Sequence, residues 1–184
     1  MSEQLPSQKA VLEILVKSGC SRQVIRHCKA VSALAVQIAE ACKERGFNVN
    51  VQLVRIGALL HDMGRSVTHS VDHAVIGAEL ARALGLPSSV VSIIERHAGG
   101  GITMDEAKKL GWPVKDYFPQ TLEEKIVTYA DKLIEGSQMV NIERSIRKLS
   151  EELGGDHPAI KRVKQLHREF SSLLGDINAD SHAS

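Results

Sequence analysis

The chain reads as a succession of apolar stripes at helical spacing, and almost nothing in it alternates with the period of two that a half-buried strand shows. Start and stop signals divide it into helices. Ser7 caps a first helix that stops at Gly19, Ser21 a long second one that stops at Gly46, and Asn50 a third, "VQLVRIGALLHDM", that stops at Gly64. A fourth starts near Asp72 and ends at Gly85, and Pro87 opens a fifth that ends in the run Gly99, Gly100 and Gly101. Thr103 with Glu106, and Thr121 with Glu124, have capping-box spacing for a short sixth helix and a longer seventh. Between these two, "GWPVKDYFPQ" is expected to be an irregular connection. Two mixed-charge helices follow, over 141–153 and 157–174. The pattern predicts an all-α bundle of about eight or nine helices, a single domain over 1–175 with a disordered tail at 176–184.

Residues three and four apart share a helix face, and on several stripes an ionisable residue keeps company with apolar ones. His27 lies in line with Val24, Val31, Leu34 and Ile38, and His73 with Ile76, Leu80 and Leu84. His97 follows Val90, Ile93 and Ile94, and Asp131 stands between Val127 and Ile134. Four helices therefore aim an ionisable side chain inward.

Composition narrows the partners only slightly. With 43% hydrophobic residues, 24% charged and a net charge of +1, the chain has the make-up of a soluble globular protein and no field that implies a nucleic acid or a membrane surface. No apolar run reaches the ~18 residues of a membrane span, and "MSEQLPSQKA" lacks the basic and apolar stretches of a signal peptide, so a cytoplasmic protein is expected. Cys20, Cys28 and Cys42 are odd in number and lack C-x-x-C spacing, and are expected to be free, packed thiols.

The inward-facing residues suggest a metal. A buried carboxylate such as Asp131 needs a cation, and no lysine or arginine on a matching stripe supplies one. A divalent ion satisfies neutral imidazoles and carboxylates together. His61 and Asp62 are adjacent and diverge by about 100° on a helix; if Gly64 ends that helix, the pair lies in its last turn and reaches an ion from two sides. His27, His61, Asp62 and Asp131 then form a nitrogen and oxygen set suited to Mn, Fe, Co, Ni, Mg or Zn.

The order His27, His61-Asp62, Asp131 resembles the H…HD…D signature of the HD superfamily of metal-dependent phosphohydrolases, over residues 24–136, and "HDMGR" is similar to its HDIG-type members. The resemblance implies an all-α HD-domain bundle with one ion on those four residues. It also implies a second ion where histidines follow the HD pair, as His73 in "HAVIG" and His97 in "ERHAG" do, with Asp62 bridging. The likeness is incomplete. Cyclic dinucleotide phosphodiesterases of the HD type carry a second histidine where this chain has Ala98, and "GWP" at Gly111, Trp112 and Pro113 comes too late to be their GYP motif. The nucleotidase-like branch has a glutamate where this chain has Arg65.

The expected function is hydrolysis of a phosphate ester, a small molecule of nucleotide type, by hydroxide drawn from water on the ion. Asp62, Arg65 and His69 are the expected catalytic residues: Arg65 grips phosphoryl oxygens and His69 protonates the leaving oxygen or orients a ligand. Two alternatives belong to other classes. One is a di-iron oxygenase using the same ligands; the other is a metal-stabilised module that binds RNA or a nucleotide through the basic C-terminal helices. In those helices, Arg144, Arg147, Lys148, Lys161, Arg162, Lys164 and Arg168 alternate with glutamates, as on a solvated face. His157, His167 and His182 receive no role, and the sequence does not define an oligomeric state.

Overall fold

A computed structural model describes residues 4–175; the expected disorder at 176–184 falls outside them. The helices are α1 (Gln8–Lys17), α2 (Arg22–Glu44), α3 (Val51–Leu60), α4 (His73–Ala83), α5 (Ser88–Arg96), α6 (Met104–Leu110), α7 (Leu122–Lys132), α8 (Ile142–Leu153) and α9 (Pro158–Leu174). The capping residues act as their types require: Ser7, Ser21, Asn50, Thr103, Thr121 and Asn141 each accept a hydrogen bond from the backbone N–H three residues on. The box at Thr103 is complete. That at Thr121 is not, because the Glu124 carboxylate turns instead to Arg96 and to the N–H of Gln120.

The long helix α2 is the axis of the fold. Its Val31, Leu34 and Ile38 pack with Val54 of α3, Ile126 and Tyr129 of α7, and Val163 and Phe170 of α9. A second cluster joins α1, α3, α4 and α5 around Leu15, Ile56, Leu59, Leu60, Val90 and Ile94. All three cysteines are buried and free. Among the described residues no helix is long and apolar enough to cross a membrane.

Three further expectations are corrected. The third helix ends at Leu60, and Met63–Ser66 form a separate 3-10 turn. Gly64 inside that turn has no left-handed backbone; its role is close approach, because a Cβ there would stand 2.0 Å from the carbonyl oxygen of His73. On α4 the stripe of Ile76, Leu80 and Leu84 is not the core face. Ala74, Gly77, Ala78 and Ala81 are buried, and Leu84 is 53% exposed: the 3-10 turn packs too closely for large side chains.

The segment "GWPVKDYFPQ" is an irregular connection, as expected, and it is anchored. Tyr117 bridges to Ile102, Trp112 is buried with it in a third apolar cluster, and the Trp112 Nε1–H donates to Asp72 at 2.7 Å. Finally, Ile134 does not continue α7. It opens a two-strand hairpin, β1 (Ile134–Glu135) with β2 (Gln138–Met139), turning at Gly136 with φ 63°. Runs of two residues are too short to show strand periodicity.

Candidate metal centre

The ends of several helices bring the six expected ligands together. His61 caps the C-terminus of α3, and Asp62 leaves helical geometry at φ −99°, ψ 15°, which lets two adjacent side chains face the same point. His97 caps the C-terminus of α5, Asp131 lies in the last turn of α7, His73 begins α4, and His27 comes from the N-terminal part of α2. His61, Asp62, His73 and His97 are buried.

Two overlapping clusters result. In one, Asp131 Oδ1 lies 3.1 Å from His27 Nε2 and 3.4 Å from His61 Nε2, and Asp62 Oδ2 lies 3.8 Å from each of those nitrogens. In the other, Asp62 Oδ1 lies 3.1 Å from His73 Nε2 and 3.5 Å from His97 Nε2. Asp62 thus offers one oxygen to each cluster.

Every one of the four imidazoles has its Nδ1 against a backbone carbonyl. His27 meets Gly136 at 2.9 Å, and His61, His73 and His97 meet Ala58, Ser70 and Ile94, each at 2.7 Å. A carbonyl only accepts, so each Nδ1 carries a proton and each ring turns Nε2 inward, as a lone pair wherever the ring is neutral. In the second cluster this sets His73 Nε2 and His97 Nε2, 3.0 Å apart, against an Asp62 oxygen, and with both rings neutral all three atoms are acceptors. His61 Nε2 and Asp62 Oδ1 are buried without a hydrogen-bond partner. A divalent cation fits such atoms: the donor atoms of His27, His61 and Asp131, and likewise those of His61, Asp62 and His97, lie within 4.8 Å of one another.

The electrostatics agree with that fit. Burial pushes His97 down to about 4, so its ring is neutral at ordinary pH. Burial also disfavours charge on Asp62 and Asp131, but the His61 charge beside Asp62 and the Lys132 ammonium beside Asp131 outweigh it and hold both carboxyls well below their usual range. His61 goes the other way: burial lowers it, and the Asp62 charge more than reverses this, holding it well above its ordinary value. Ion binding there therefore expels a proton.

Asp131 is not without a cation, as the stripe pattern suggested; its own neighbour Lys132 donates to Oδ2 at 2.7 Å. The end of α7 lets the two adjacent side chains turn toward each other, which helical spacing hides. Arg65 donates through Nε to Asp62 Oδ2 at 2.6 Å and through Nη1 to the His69 carbonyl at 3.2 Å. His69 itself is exposed at the mouth of the site. Sequence reasoning missed the buried Glu95, held by Arg82 at 2.7 Å and Lys115 at 2.9 Å, and nothing in local spacing pointed to that pairing.

An all-α bundle with a histidine and aspartate centre suited to divalent ions is the class that fold and site define. Residues 24–136 match the family model of the HD domain, and the chain belongs to that family. It is 51% identical to an uncharacterised protein of Methanocaldococcus jannaschii over 87% of this chain and 95% of that one. It is 40% identical to the tRNA (cytidine(56)-2'-O)-methyltransferase of Picrophilus torridus over 96% of this chain, and spans 51% of that protein's length. Ribonuclease Y of Acidothermus cellulolyticus is 29% identical over 91% of this chain and 32% of its own length. The HD domain of the Listeria monocytogenes phosphodiesterase PgpH, solved with cyclic-di-AMP, superposes with a TM-score of 0.57 at 20% identity, covering 96% of this chain and 99% of that one. That likeness establishes the shared fold.

Proposed function

We propose that the protein is a metal-dependent phosphohydrolase acting on a phosphate ester of a nucleotide. The observation that carries this reading is the inward Nε2 of four histidines, each fixed by a carbonyl at Nδ1, around two carboxylates. His27, His61, Asp62 and Asp131 would hold one ion, and Asp62, His73 and His97 a second. Bound there, a divalent ion supplies a Lewis acid for phosphoryl oxygens and lowers the pKa of its water.

The chain's own groups do the rest. Arg65 keeps Asp62 aimed through Nε and has guanidinium nitrogen at the mouth of the site for phosphoryl charge. Lys132 holds Asp131 in the same way. His69, exposed at the mouth, is placed to pass a proton to a leaving oxygen.

A nucleotide substrate is supported by the relatives, whose names include a phosphodiesterase, a ribonuclease and a tRNA-modifying enzyme. Methyl transfer is not the reading this centre supports, since the groups it gathers are ligands for a cation. Protein stripped with chelator and reloaded with Mn, Fe, Co, Ni, Mg or Zn should hydrolyse bis(p-nitrophenyl) phosphate or p-nitrophenyl phosphate with at least one of them. Absence of turnover with every metal overturns the reading, and so does oxygen-dependent turnover by an iron-loaded form.

A further inference from the structure

The centre lies where two clefts meet. One, about 620 Å³, opens on the His27 side and is polar. The other, about 420 Å³, opens on the side of His73 and His97. Arg65, Asp131, Lys132 and, on α8, Leu149 line both. A phosphoryl group at the junction therefore has a separate space for each of two ester substituents, which a monoester would leave half unused.

The two spaces differ in chemistry. At the second cleft Val71, Leu110 and Leu153 are exposed apolar side chains, 36%, 41% and 46% accessible, clustered at a single opening. Such an opening accepts a flat, largely apolar group such as a nucleobase. In the first cleft, Arg144 and Lys148 stand one turn apart on α8 and share a face. Both are more than half exposed and both lean on one carboxylate, Glu135 of β1, at 2.5 Å and 3.6 Å. Two cations on Glu135 leave a local positive charge that the cleft's other carboxylates, Glu152 among them, balance overall. Arg144 uses only its Nε for Glu135, and among the described residues its two terminal nitrogens have no hydrogen-bond partner. Four basic and four acidic side chains line this cleft, so it is neutral by itself and becomes positive when a divalent ion is added.

We propose that Arg144 and Lys148 form a second phosphate subsite, and that the substrate is a short linear nucleotide chain. Its scissile phosphodiester sits at the centre, one flanking nucleoside enters the apolar cleft, and the other carries a further phosphate to α8. The terminal nitrogens of Arg144 can take that phosphate in a two-pronged hydrogen bond while Nε stays on Glu135. A linear chain can place one arm in each of two clefts whose linings differ, whereas the arms of a cyclic dinucleotide must rejoin. This proposal rests on the phosphohydrolase reading and adds the substrate class to it.

The test compares linear diadenylate bearing no terminal phosphate, a 5′-phosphate or a 3′-phosphate, and cyclic-di-AMP, with metal-loaded protein. One terminally phosphorylated form should exceed the unphosphorylated form and the cyclic form in kcat/KM by about tenfold, the scale of one charge-assisted contact. Calorimetry should show the same ratio in affinity, using a non-hydrolysable phosphorothioate analogue. Arg144→Ala with Lys148→Ala should bring both ratios close to one, and Arg144→Lys should keep part of the advantage. Hydrolysis of bis(p-nitrophenyl) phosphate with equal kcat/KM for all three linear forms overturns the subsite and leaves the phosphohydrolase reading standing. So does a ratio that survives the double substitution, or a preference for the cyclic form. Failure to hydrolyse any diester or p-nitrophenyl phosphate, with no difference in affinity among the forms, overturns both; hydrolysis of p-nitrophenyl phosphate alone overturns only the proposal of a linear chain.

Discussion

Arg65 and Asp62 are joined by a 2.6 Å hydrogen bond from Nε to Oδ2, the oxygen that also faces His27 and His61. The carboxylate most central to the candidate centre is thus oriented by a guanidinium that does not itself ligate metal. On the proposed reading the pair separates two jobs, holding an ion and using it.

Asp62→Ala should abolish both metal retention and hydrolysis, because it removes an oxygen from each cluster. Arg65→Ala should retain metal and lose about 10²–10³ in kcat, as when one donor to transition-state charge is removed. Metal content and hydrolysis measured on the same preparations check this. An Arg65→Ala protein with normal turnover would deny Arg65 any part in the reaction.

His97→Ala should lower the ion content of fully loaded protein from two per chain to one, leaving the His27, His61 and Asp131 cluster occupied. Elemental analysis after gel filtration reads the number. A content unchanged by the substitution would remove the second site.

Gly64→Ala should cost about 1–3 kcal/mol by overpacking, since a Cβ would meet the His73 carbonyl oxygen and the Gly77 nitrogen, at 2.0 Å and 2.7 Å, both backbone atoms. The displaced α4 should carry His73 away from Asp62, so a weakened second ion is expected as well. Denaturant titration of metal-free protein gives the first effect and metal titration the second.

Glu95 is buried, yet its hydrogen bonds and ion pairs with Arg82 and Lys115 lower its pKa below the ordinary 4.5 despite the cost of burial. A depressed folded value means stability that is fully present above the unfolded pKa and is lost as pH falls through the folded one. Glu95→Gln should therefore destabilise by about 2 kcal/mol at neutral pH, with the gap to the unsubstituted protein closing below pH 4.5. Parallel stability curves at all pH values, measured with chelator present, would show that the triad contributes nothing.

The helical class and most boundaries were legible because capping residues and glycines are local signals, and Ser21, Asn50 and Thr103 act as their types predict. The six candidate ligands could be named because His27 and His97 follow apolar stripes and His61 and Asp62 form an adjacent pair, whereas His73 and Asp131 were placed by stripes that the structure corrects at Ile76, Leu80, Leu84 and Ile134. What escaped was set by packing between distant segments. The small-residue face of α4 follows from how closely the turn around Gly64 approaches it. The ordering of "GWPVKDYFPQ" follows from Trp112 reaching Asp72 across the fold. The partner of Asp131 was hidden for a different reason: Lys132 is adjacent, and only the end of α7 lets neighbours meet.

The C-terminal ends of α3, α5 and α7 all arrive at this centre, at His61, His97 and Asp131. A helix end of this kind bears roughly half a negative elementary charge in its unsatisfied carbonyls. Two of those ends give up a carbonyl, of Ala58 and of Ile94, to hold an imidazole proton. The backbone itself is thus a trap for cations before any carboxylate is considered, and by the same sign it repels a phosphate. On the phosphohydrolase reading, these helix ends favour binding of the ion before the phosphate ester.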